Sequence, residues 1–137
     1  FLALLMVSFS CSKDKDDPII LPISDIVGTW NKVSTETRTE NTEWVADNRS
    51  CLTDDTEEFR INGTWSSYDG TSQCNPGSGV QNGTWTLTAG NTKVVFTYDG
   101  FSGSYESTVT QLNANTMVLT YSSGDIAGTQ NRITYSK

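Results

Sequence analysis

The chain has 137 residues, nine of them basic against sixteen acidic for a net charge of −7, and no histidine. That balance lacks the basic surface that nucleic acid rewards, and it disfavours docking on anionic lipid. Without histidine the usual general base near neutral pH, the usual transition-metal ligand and the usual triad member are missing, which argues against most hydrolases.

An apolar run from Phe1 to Phe9 leads into Ser8-Phe9-Ser10-Cys11. It is too short for a membrane span, which needs about 20 apolar residues, and it matches the h-region of a signal peptide. Small residues before a cysteine fit a lipoprotein signal peptidase. Residues 1–10 are therefore expected to be signal peptide and lipobox, and Cys11 the site of diacylglycerol attachment. No basic residue stands before the run, so a few further residues are expected to precede Phe1. Ser8 occupies the place where a branched aliphatic residue is usual. The alternative is an ordinary secretory signal that leaves Cys11 as a free thiol.

Lys13-Asp14-Lys15-Asp16-Asp17 resembles the lysine-then-acidic export tag of surface-displayed lipoproteins in Bacteroidota. The resemblance implies an outer membrane lipoprotein, held by its N-terminal lipid and facing the cell surface rather than the periplasm. The plainer reading is a solvated charged tether. Pro18 and Pro22 stiffen the stretch Ile19-Ile20-Leu21 between them, so residues 11–24 are expected to form an extended tether.

Residues 25–137, roughly 110 in number, suffice for one small domain and not for two. Asn62-Gly63, Asp69-Gly70, Asn82-Gly83, Gly90-Asn91, Asp99-Gly100 and Asn113-Ala114-Asn115 mark the corners of an all-β meander. Eight strands are expected, near 27–37, 57–61, 64–69, 82–88, 93–98, 104–112, 116–122 and 129–136, with an irregular segment from Thr39 to Asp55. The short later links favour a small eight-stranded antiparallel up-and-down barrel, which also removes exposed sheet edges. An open sandwich is the runner-up.

With Cys11 assigned to lipid, Cys51 and Cys74 are expected to pair in a compartment where disulfides persist. Two cysteines without histidine or CxxC spacing make neither a zinc site nor a typical redox pair. Asp54, Asp55, Glu57 and Glu58 lack calcium-loop spacing, and strand alternation sends Glu57 and Glu58 to opposite faces. No two carboxylates are fixed for glycoside hydrolysis. No catalytic residue, metal ligand or cofactor is expected, and the protein is read as not an enzyme.

Gly-Thr-Trp occurs at Gly28-Thr29-Trp30, Gly63-Thr64-Trp65 and Gly83-Thr84-Trp85, each at an expected strand start. The triplets suggest a shared corner in which glycine turns the chain and an indole plugs the barrel. Trp30 and Trp85 are read as plugs, while Trp65 is left between core and outer face. Ile61, Trp85, Leu87, Phe96, Tyr98, Val109, Leu112, Met117, Leu119, Tyr121 and Ile133 are among the residues expected to point inward.

Ile26-Val27-Gly28-Thr29-Trp30, Cys51, Phe59-Arg60-Ile61-Asn62-Gly63-Thr64, Cys74, Gly83-Thr84-Trp85-Thr86-Leu87, Leu112 to Leu119 and Ile133-Thr134-Tyr135 together resemble the short lipocalin-like domain of Bacteroidota lipoproteins. The resemblance covers about Asp25 to Lys137 and implies a small calyx-like barrel. The short chain and modest apolar content lead to the expectation of a filled barrel with only a shallow pocket.

Candidate ligand-binding residues are Trp44 and Arg49 in the long segment, Phe101 between glycines in an exposed loop, Trp65, and Phe96, Leu119 and Tyr121 on the inner wall. Two functions fit this set. One is a barrel that binds a small apolar or amphipathic ligand. The other is a solid interaction module that contacts an envelope protein or a glycan through its loops, with Trp44 and Phe101 as anchors. A cavity lined by Phe96, Leu119 and Tyr121 favours the first, and a filled interior with rim aromatics the second.

Overall fold

A computed structural model describes residues 23–77, 79–124 and 126–137. The expected signal segment, Cys11 and the tether as far as Pro22 lie outside the described residues. Ile23–Ile26 forms one helical turn, α1, which begins inside the stretch read as extended tether. Among the described residues there are nine strands: β1 (Gly28–Thr39), β2 (Val45–Ala46), β3 (Thr56–Phe59), β4 (Thr64–Tyr68), β5 (Val80–Thr88), β6 (Lys93–Tyr98), β7 (Ser104–Leu112), β8 (Thr116–Ser122) and β9 (Thr129–Ser136).

From β3 to β9 each strand pairs antiparallel with its sequence neighbour, and β1 pairs with both β3 and β9, closing an eight-stranded barrel. β1 serves both seams: Gly28 to Asn31 lie against β3, and Asn31 to Thr39 against β9. A bulge between Lys32 and Ser34 shifts the register, pushes Val33 outward and sets Thr35 opposite Ile133. β2 is a short addition within the segment expected to be irregular. It pairs with Glu36 and Thr37 on the edge of β1 that β3 leaves free. Two paired residues carry no readable alternation, which is why the sequence pattern misses them.

Alternation along the strands builds the interior. Val94 and Phe96 of β6, and Met117 and Leu119 of β8, are buried while their neighbours are not. Trp30 closes one end. Its indole is fully buried, and its N–H donates to the Ile26 carbonyl at 2.7 Å. The Lys137 ammonium lies 4.3 Å from the ring centroid and donates to the carbonyls of Asp25 and Val27 at 3.1 and 3.0 Å. Phe59 and Trp85 meet edge to face above this floor, and the Trp85 N–H donates to the Arg60 carbonyl at 3.0 Å.

Two expectations change. Ile61 is not an inward residue: it sits in the β3–β4 turn, closed by Gly63 N–H donating to Arg60 O, and is 74% exposed. The three Gly-Thr-Trp triplets also do not share a corner. Gly28 and Gly63 have φ of +130° and +82°, whereas Gly83 lies inside β5 with ordinary φ. There the need is closeness. A Cβ on Gly83 would stand 1.8 Å from the Thr97 carbonyl oxygen of the next strand.

Candidate functional site

The interior above the floor is hollow, with a cavity of about 560 Å³. This corrects the expectation of a filled barrel, and the reason lies in the small and polar inward residues. Ser107 takes a wall position where a large apolar side chain would occupy the space.

Aromatic rings form one continuous wall. Trp65 lies 5.3 Å from Phe96 and meets Tyr98 edge to face at 5.1 Å. Tyr98 meets Tyr105 at 5.2 Å and 90°, and Phe101 stacks on Tyr105 at 5.7 Å. Phe101 and Tyr105 are the exposed members and mark the mouth. Leu119 and Tyr121 of β8 and Ile133 and Tyr135 of β9 complete the lining, with Gln81 from β5. Such pairs each add about 0.5–1.5 kcal/mol beyond their buried area.

One carboxyl interrupts this wall. Asp55, just before β3, and Glu57 and Phe59 within it share the inward phase, and all three are buried. Glu57 accepts from the Tyr135 hydroxyl at 2.7 Å and from the Trp65 indole N–H at 3.1 Å. Burial raises its carboxyl above the ordinary value of 4.5, while the two hydrogen bonds and the Lys32 charge pull the other way. Asp55 is paired with Lys32 at 2.8 Å, and its other oxygen accepts from Gly70 N–H at 3.3 Å. Burial, then the Glu57 charge, push the Tyr98 phenol up to about 12 and the Tyr135 phenol well above its ordinary value.

Of the residues singled out in the sequence, Trp65, Phe96, Phe101, Leu119 and Tyr121 all line the cavity. Trp44 and Arg49 do not. Trp44 lies between the guanidinium groups of Arg38 and Arg132, each 4.4 Å from its ring centroid, and Arg132 is held bidentately by Glu36 at 2.8 Å. Arg49 is exposed and bound to Asp47 at 2.6 Å. The segment that carries them is fastened sideways to the β4–β5 loop. Cys51 and Cys74 form a disulfide with Cα atoms 5.1 Å apart, and Asp54 accepts from Thr71 Oγ1 and Ser72 N–H at 3.0 Å. Glu57, Gln81, Tyr98, Tyr105, Ser107, Ile133 and Tyr135 are not among the sequence candidates for the site. For Glu57 a signal exists: it shares the alternation phase of Phe59.

The sequence model of a family described as Lipocalin-like domain matches residues 26–119. Among solved structures, a lipocalin-like protein from Bacteroides uniformis ATCC 8492 aligns at 13% identity, covering 80% of this chain and 96% of that one, with a TM-score of 0.49. An uncharacterized protein from Bacteroides eggerthii DSM 20697 aligns at 16% identity, covering 81% of this chain and 98% of that one, with a TM-score of 0.50, a likeness of fold alone. No curated protein matches.

Proposed function

This chain belongs to the lipocalin-like domain family, and on that premise we propose that it is a non-enzymatic binding barrel that takes a small apolar or amphipathic ligand into its calyx. The observation that carries the reading is the cavity of about 560 Å³ lined by Phe96, Leu119 and Tyr121. That volume falls within the range of about 300–1,000 Å³ found for small-molecule sites, and the lining mixes Phe96, Phe101, Leu119 and Ile133 with the polar groups of Glu57, Gln81, Ser107 and four tyrosines, which suits an amphipathic ligand. A filled interior would have supported the interaction module, so the hollow barrel favours the ligand carrier.

The ligand-contacting residues in this reading are Trp65, Phe96, Phe101, Leu119 and Tyr121, with Glu57 and Tyr135 as polar partners. The protein is read as an outer membrane lipoprotein, anchored through Cys11 and facing the surface. Ser8-Phe9-Ser10-Cys11 and the acidic stretch behind it support this location, as does a disulfide, which persists in oxidising compartments. Replacing Cys11 with serine should release the protein from the membrane fraction.

Native mass spectrometry of protein purified gently from its own host, before and after denaturation, tests the binding function. A co-purifying mass released on unfolding is the expected result. Bare protein from repeated host preparations would overturn the reading and return the loops to consideration as a contact surface.

A further inference from the structure

Resting on the calyx reading, we propose that the ligand is an organic cation, an alkyl- or arylammonium whose charged head sits beside Glu57 within the aromatic wall. The argument begins with charge. Glu57 is the one charged side chain among the described residues that line the cavity. The nearby Lys32 and Asp55 are held by each other at 2.8 Å, with both side chains nearly buried. Glu57 has only neutral donors, the Tyr135 hydroxyl and the Trp65 indole.

An ionised carboxylate in that position keeps its hydrogen bonds, and the one cation that faces it, Lys32, is committed to Asp55. Burying a charge without an opposite partner is costly. A neutral ligand that displaced water from the cavity would favour the protonated carboxyl still further, and an anion would be repelled by the ionised one. A cation would answer the charge directly.

The ring wall supplies the second half of the recognition. Trp65, Phe96, Tyr98 and Tyr121 line the same cavity as the carboxyl, and aromatic faces attract cations through their quadrupole, most strongly when water is excluded. The overall charge of −7 adds a field that draws cations toward the mouth.

The test compares three probes of similar shape on the full chain: phenyltrimethylammonium, its neutral isostere tert-butylbenzene, and the anion 4-tert-butylbenzoate. Binding is read by tryptophan fluorescence and by NMR shifts of Leu119 and Ile133. At pH 8 the cation should bind more tightly than the neutral probe by on the order of tenfold, and the anion most weakly. Glu57→Gln should abolish the preference for the cation.

A second arm needs no variant. The groups that face Glu57 are Lys32 on β1, Asp55 just before β3, Tyr98 on β6, Tyr121 on β8 and Tyr135 on β9. The three phenols are shifted upward, so acidification does not change their charge. As the pH falls and Glu57 takes up a proton, affinity for the cation should drop while affinity for tert-butylbenzene holds. This arm decides the matter if Glu57→Gln fails to fold by circular dichroism. Equal or weaker binding of the cation would overturn the charge assignment and leave the calyx reading standing. No response to any of the three probes would overturn the calyx reading itself.

Discussion

The Tyr135 hydroxyl donates to the Glu57 carboxyl over 2.7 Å, between residues 78 positions apart in sequence. Glu57 stands opposite Trp30 on one seam of β1, and Tyr135 opposite Lys32 on the other. The bond therefore spans β1 and couples the two seams that close the barrel. It also makes the protonation of one carboxyl a matter for the whole fold.

Because burial raises Glu57 above 4.5, the folded chain holds this proton more firmly than the unfolded chain does. The group's contribution to stability is full below the unfolded value and is lost as the pH rises through the raised folded value. Glu57→Gln removes that dependence. Thermal melts from pH 4 to 9 should show wild type gaining on the variant toward acid pH and losing that advantage toward alkaline pH. Glu36, lowered by its bond to Arg132, acts in the opposite sense near its own acid range, but equally in both proteins. A difference between the two proteins that is independent of pH would contradict the assignment.

Replacing both Cys51 and Cys74 with serine frees a loop whose ends are 23 residues apart. The expected loss is about 3 kcal/mol, mainly through greater freedom of the unfolded chain. For a domain of this size the Tm should fall by on the order of 10 °C, measured by calorimetry. Reducing agent should lower the wild-type Tm to a similar value and leave the variant unchanged.

Gly83→Ala places a methyl group against the backbone of β6, where the Thr97 carbonyl oxygen would be 1.8 Å away. A backbone atom cannot rotate aside as a side-chain tip does. The cost should reach the upper part of the about 1–3 kcal/mol typical of overpacking. Urea unfolding measures it. Alanine at the exposed Thr84 next door should cost much less.

Trp44→Ala removes two cation–π contacts outside the cavity. Each is worth about 0.5–1 kcal/mol at a partly exposed site. Stability should fall by on the order of 1 kcal/mol, while affinity for a cavity probe stays unchanged. Trp65→Ala should instead lose most of the binding. Titration of tert-butylbenzene by NMR separates the two.

The barrel is legible because its strands announce themselves. Val94, Phe96 and Tyr98 alternate cleanly, and Asp99-Gly100 and Asn113-Ala114-Asn115 mark where the chain reverses. Asn82-Gly83 misleads, since the same dipeptide that makes a hairpin also serves a strand that needs an approach without a Cβ. The cavity wall is partly legible too, through Phe96, Leu119 and Tyr121. Its polar centre is legible only as the phase Glu57 shares with Phe59, because a glutamate in an acidic run reads as solvated until the fold shows Tyr135 and Trp65 converging on it. Trp44 misleads for the converse reason: an aromatic in a long segment suggests a ligand, and only the register of β1 and β9 reveals two arginines waiting on the outer face.

Lys137 and β9 work at one corner of the molecule: β9 seals the wall along β1, and Lys137 covers the Trp30 floor. Asn31, opposite Thr56 on one side, meets Ser136, more than a hundred residues later, on the other. A chain that lacks residues 129–137 has nothing to pair with β1 and β8 along this seam, and so no closed wall. Enclosure thus depends on a pairing between the two ends of the domain. Non-local pairing of this kind folds slowly because the closure entropy must be met before the contacts repay it. The burial that raises Glu57 likewise depends on β9, which brings the Tyr135 hydroxyl against it.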